Sequence, residues 1–297
     1  LQWLDKKKAP EIMGRIYGVG AFTQLLTLGL ILLVYLAGEG SFSWEALARS
    51  DKLVTGISSY QTLYIGAGLS TVLLAVAALM IFPHFSEKIV QRRQLVLRKR
   101  YWLYYALTFI AGARRQIFLV FASFLMVEKF DYSLAQITTL FLLNAAFNMW
   151  LAPLVGKIIG RVGERIALVV EYIGLIGVFI AYAFVESGTV AAGLYVIDHM
   201  FFAFAIAIKT YFQKIGAPED MASTASVAFT INHIAAVAVP AAFGFIWLVN
   251  PSAVFLAGAG MAALSLILSM NVPRHPEEGH EVVLDIVDRK LLLNCLF

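Results

Sequence analysis

Leu103–Met126 reads LYYALTFIAGARRQIFLVFASFLM, an apolar stretch long enough to cross a bilayer, with two adjacent arginines, Arg114 and Arg115, near its middle. A charged side chain at that depth costs at least about 3 kcal/mol, so it faces a water-filled cavity or a partner. A partner of the right sign lies elsewhere in the chain: Asp198 sits in the middle of the apolar segment Val190–Ile208. Opposite charges at matching depth point to a polar pathway through a membrane.

The same composition recurs outward from this stretch. Segments of roughly 20 apolar residues, the length that crosses about 30 Å of hydrocarbon, cover Gly14–Ala37, Gln61–Phe82, Leu103–Met126, Leu134–Val155, Ile166–Val185, Val190–Ile208, Ala222–Leu248 and Ser252–Met270. Hydrophobic residues make up 60% of the chain and charged residues 14%, with a mean hydropathy of +0.80. That balance lies far from a soluble domain. The expected fold is all-α, a polytopic transmembrane helix bundle of about eight spans. Residues 1–83 hold two spans and an outer loop, in which a short surface helix is expected to start near Ser43. Residues 84–101 form a basic linker, 102–271 a block of six spans, and 272–297 a tail.

The positive charge reports topology. With the first span leaving the cytoplasm, Lys6, Lys7, Lys8, Arg92, Arg93, Arg98, Lys99, Arg100, Lys157, Arg161 and Arg165 fall inside, and Arg49, Lys52 and Lys129 outside. This is the positive-inside bias. It predicts a multi-pass protein of the cell (plasma or inner) membrane with both ends of this chain cytoplasmic. Lipid is its surroundings, and nucleic acid is not an expected partner. A single cysteine, Cys295, excludes an internal disulfide and a cysteine metal cluster. The glycines of the first span precede no Walker-type lysine, and no His-Glu-x-x-His spacing occurs. Neither a metal, a cofactor nor an enzymatic activity is expected.

Two features organise the spans. Ala9-Pro10-Glu11-Ile12-Met13, followed by Gly20-Ala21-Phe22-Thr23, is echoed by Ala217-Pro218-Glu219-Asp220-Met221, followed by Val227-Ala228-Phe229-Thr230. The first echo opens the first span and the second opens the seventh, as in a duplicated unit of six helices. Between the fourth and fifth spans the chain reads Gly156-Lys157-Ile158-Ile159-Gly160-Arg161-Val162-Gly163-Glu164-Arg165. This resembles the cytoplasmic loop signature of the major facilitator superfamily, a Gly-x-x-x-Asp-Arg-x-Gly-Arg frame. Gly160 stands in the acidic position and Glu164 precedes Arg165, so the charge pattern is looser than in the full motif. The resemblance covers about residues 1–275. It implies two six-helix halves related by an axis along the membrane normal, with the second half complete here and four N-terminal helices expected in the full-length chain. It also implies a cytoplasmic gate built from Gly156, Gly160, Arg161, Gly163, Arg165 and Glu171, with Glu171 paired to Arg161 or Arg165.

Within the spans, polar residues matter when they share a face. Thr108, Gly112 and Arg115 form one helical stripe, with Arg114 turned about 100° away. Arg115 is therefore expected in the cavity, and Arg114 at its edge or paired to a neighbouring helix. The resemblance makes the third and sixth spans cavity-lining, so Arg115 and Asp198 are expected to approach each other. A carboxylate alternating between an arginine and a proton would couple proton movement to the conformational switch; a static pair joining two helices is the alternative. His199, beside Asp198, and His233, on a stripe with Ser223, Ser226 and Thr230, are expected to assist. Asn232 adjoins that stripe. Asn144 and Asn148, one turn apart, either contact substrate or join helices.

The expected function is secondary active transport of a small solute by alternating access, proton-coupled and with an anionic or polar substrate, since arginine grips carboxylate or phosphate bidentately. The alternative is an eight-helix channel or sensor without carrier activity.

Overall fold

A computed structural model describes residues 7–36, 60–81, 90 and 97–284. The surface helix expected near Ser43, most of the basic linker and residues 285–297 lie outside the described residues. Those described form eight long helices: α1 (Ala9–Leu36), α2 (Tyr60–Ile81), α3 (Lys99–Phe130), α4 (Leu134–Val162), α5 (Glu164–Ala183), α6 (Gly188–Ile215), α7 (Pro218–Val249) and α8 (Pro251–Met270). The last six are each long and apolar enough to cross a membrane.

Helix starts and stops follow local chemistry. Ser133 and Gln136 close a capping box at the head of α4, with Gln136 N donating to Ser133 Oγ at 3.2 Å and Ser133 N to Gln136 Oε1 at 2.8 Å. Asp131, with φ 54°, ends α3 in the left-handed region. Pro251 opens α8, where the Asn250 side chain accepts from Ala253 N at 3.3 Å. Both halves of the sequence echo begin helices: Ala9-Pro10 at α1 and Pro218 at α7.

One expectation about these boundaries is corrected. Gly156–Arg165, read as a loop, is helical on both sides of Gly163, which alone joins α4 to α5. Its φ of 88° is reached at little cost by glycine. The helix continues past Pro153 because α1 packs along that length of α4. A Cβ on Gly14 would lie 2.6 Å from Ala152 O, and one on Gly18 would lie 2.9 Å from Pro153 Cγ. Gly156 likewise meets Pro10 O, so it serves the contact between these two helices.

The rest of the bundle is arranged around α3, which packs against α6, α7 and α8; α5 lies along α8, and α4 lies against α6. The core is rich in aromatic rings: Tyr101, Phe118, Tyr172, Tyr182, Tyr195, Tyr211 and Phe255 are all essentially fully buried. Beyond their first turns, two of the described helices depart from regular α geometry. In α3, Ile117–Ala122 is a π-helical segment, and in α6, Phe202–Ala205 is a 3-10 segment. Each irregularity begins within one helical turn of a pair of ionisable residues, Arg114-Arg115 in α3 and Asp198-His199 in α6. Such breaks concentrate at functional hinges.

Candidate functional site

Successive helical residues project about 100° apart, so Arg114 and Arg115 meet different surroundings. Arg114 is buried, its side chain 2% exposed. One amino nitrogen donates to Glu171 Oε1 on α5 at 2.9 Å, and the other to Ser265 Oγ on α8 at 3.4 Å. Its guanidinium carbon also lies 4.9 Å from the centre of the Tyr172 ring. Arg115 is exposed. Its guanidinium carbon lies 5.7 Å from the Phe202 ring centre on α6, and it forms no ion pair among the described residues.

Glu171 is therefore reassigned. Expected to pair with Arg161 or Arg165 at the gate, it is fully buried and holds Arg114 instead. It sits on the face of α5 that packs inward, with Leu168, Tyr172 and Leu175, which carries it away from the basic end. Neither Arg161 nor Arg165 forms an ion pair among the described residues. The acidic residue of that motif with a partner is Glu164, wholly buried and 2.7 Å from Lys214 Nζ on α6.

Asp198 is completely buried, and neither carboxylate oxygen has a hydrogen-bond partner among the described residues. His199 Nδ1 lies 3.8 Å from Asp198 Oδ2, but that nitrogen is 2.9 Å from the Tyr195 carbonyl. The carbonyl can only accept, so Nδ1 carries the proton and Nε2 is left without a partner. No hydrogen bond or ion pair joins Arg115 to Asp198 among the described residues; Arg115 meets the Phe202 ring instead. Glu171 is bonded to the buried Arg114, whereas Asp198, also buried, has no hydrogen-bond partner among the described residues.

The remaining candidates lie on α4 and α7. Asn148 Nδ2 donates to Asn144 O at 3.0 Å and to His199 O at 3.3 Å, joining α4 to α6. Asn144 is buried with both amide atoms unbonded among the described residues. On α7, Asn232 Nδ2 donates to Ala228 O at 3.2 Å, and its Oδ1 presses against Gly112, where a Cβ would collide with it. His233 is exposed, with Nδ1 2.8 Å from Phe229 O and its ring 3.9 Å from the Phe229 ring. Gly160 faces open space.

Sequence reasoning missed several members. Ser265 and Tyr172 complete the Arg114 clamp, and Ser123 lies 3.2 Å from the Tyr195 hydroxyl, linking α3 to α6. Tyr17 of α1 lies under Lys209 of α6 at 4.8 Å. A glutamate within an apolar span was the available signal for the clamp, but its partner depends on which helices are neighbours.

The sequence profile of the Major Facilitator Superfamily matches residues 2–240, from before α1 into α7. No curated protein matches the chain significantly.

Proposed function

The chain belongs to the major facilitator superfamily, a family of secondary transporters rather than enzymes, and from that premise we propose a proton-coupled carrier of an anionic solute with its two sites back to back. The front site is Arg115, flanked by Asn144, Asn148, His199, Asn232 and His233. The back site is Arg114 with Glu171 and Asp198. The observation that carries this reading is the pairing of opposite environments on consecutive residues: an exposed guanidinium with no ion pair among the described residues beside a clamped one on α3, together with a buried carboxylate on α6 that has no hydrogen-bond partner among the described residues.

A carboxylate enclosed in the bundle is stable when protonated or when paired with a cation. Protonated, Asp198 leaves Arg114 to Glu171, as observed. On losing its proton, Asp198 competes with Glu171 for Arg114. Arg114 and Arg115 share one helical turn, so drawing the first toward α6 turns the second and alters its grip on an anion. The π segment of α3 and the 3-10 segment of α6 supply the compliance for that movement.

The orientation follows from charge. Arg98, Arg100, Lys157, Arg161, Arg165, Lys214 and Arg274 gather at one end of the bundle, and Lys129 lies at the other. That distribution supports a cytoplasmic basic end in the cell membrane. The exposed stripe Ser226, Thr230 and His233 on α7, whose side chains bond back to their own helix, faces away from the buried core.

A thermal-shift screen of carboxylates and organophosphates tests the front site, because a ligand that binds the folded state raises its unfolding temperature. Stabilisation by at least one anion, lost in Arg115→Gln and retained in Asp198→Asn, is the expected result. Equal stabilisation of the Arg115→Gln chain would remove Arg115 from the site.

A further inference from the structure

The segment after α8 lies beyond the family match, and the sequence reading gave it no role. It folds back over the basic end of the bundle. Val272, Pro273 and Pro276 are buried, and Gly279 turns the chain at φ 89°. Asn271, at the end of α8, closes the segment into a loop. Its Nδ2 donates to Leu284 O at 3.0 Å, its Oδ1 accepts from Leu284 N at 2.6 Å, and its carbonyl accepts from Val283 N at 3.0 Å. Between these anchors the Glu281 carbonyl accepts from the Tyr211 hydroxyl on α6 at 2.5 Å. Arg100, at the start of α3, lies 3.2 Å from Glu278 Oε1 and 3.5 Å from Glu281 Oε1. Arg274 O passes 3.7 Å from where a Cβ on Gly163 would stand, at the α4–α5 junction.

One short strap thus touches α3, the α4–α5 junction, α6 and α8. We propose that it is a latch: it holds Ile206–Ile215, the part of α6 beyond the 3-10 segment, against the start of α3, and so restrains opening of the cavity at the basic end. The proposal rests on the alternating-access reading. An exposed ion pair is weak alone. Here Glu281 is half-enclosed, its side chain 13% exposed, and its own carbonyl is bound to Tyr211, so the contacts release together. Tyr211 lies across the 3-10 segment from Asp198 and His199, which makes that segment the hinge that release would free.

Amide hydrogen exchange on the whole chain in lipid nanodiscs tests the latch, comparing the native sequence with Glu278→Gln/Glu281→Gln and with Tyr211→Phe. Both variants should exchange about tenfold or more faster at 206–215 and at 99–107, with α5 and α8 unchanged, as local opening without global unfolding requires. Unchanged exchange at 206–215 would overturn the latch, as would equal acceleration in every helix, which marks general loss of stability. This readout needs no substrate, so it fails or succeeds independently of the anion and proton tests.

Discussion

A guanidinium at bilayer depth must be met by something; Arg114 is met by Glu171, Ser265 and Tyr172, and Arg115 by the ring of Phe202. Removing one partner of a buried ion pair strands the other and costs about 3–5 kcal/mol. Arg114→Gln should therefore lower stability by about that much in a denaturant titration, whereas Arg115→Gln leaves the transition midpoint unchanged. Similar losses in both variants would contradict the division into clamp and free cation. The double replacement Arg114→Met/Glu171→Met should be milder than Arg114→Gln, because it strands no charge. Part of this was legible in the sequence: two arginines and one aspartate inside apolar spans call for buried partners. The stripe through Thr108 and Gly112 separates the faces of Arg114 and Arg115. The partner of Glu171 was not legible, since that requires knowing that α5 and α8 enclose the back of α3.

At the scale of the element, each span was readable from its roughly 20-residue apolar run, but its ends were not. Helix α4 was expected to stop at Val155 and runs to Val162, because Lys157 and Arg161 interrupt hydropathy without interrupting the backbone. The π and 3-10 segments left no mark in composition, since they answer to packing between helices rather than to propensity. Gly163 is the element boundary most exposed to test. At φ 88° and ψ 161°, a region essentially reserved to glycine, an alanine is strained by about 1–3 kcal/mol, so Gly163→Ala should lower the unfolding temperature while Gly160→Ala, which faces open space inside a helix, does not. Gly156→Val should push α1 from α4. That would lower the unfolding temperature of the Gly156→Val chain; an unchanged temperature would contradict the close approach of Gly156 to Pro10 and Gly14.

Among the described residues, most of the basic side chains outside the middle of the spans gather at one end, and the strap closes over that same end. The orientation predicts that an impermeant maleimide labels Ser187→Cys but not Lys157→Cys in intact cells, with Cys295 replaced by serine. The reverse pattern would invert the protein in its membrane. The central claim is that one buried carboxyl, Asp198, carries the proton that the carrier moves. Difference infrared spectroscopy of the purified chain across a pH series detects the carbonyl stretch of a protonated carboxylic acid in an apolar site. The account predicts such a band that titrates in the native chain, vanishes in Asp198→Asn and persists in Glu171→Gln. A band that survives Asp198→Asn unchanged, or none at any pH, would contradict it.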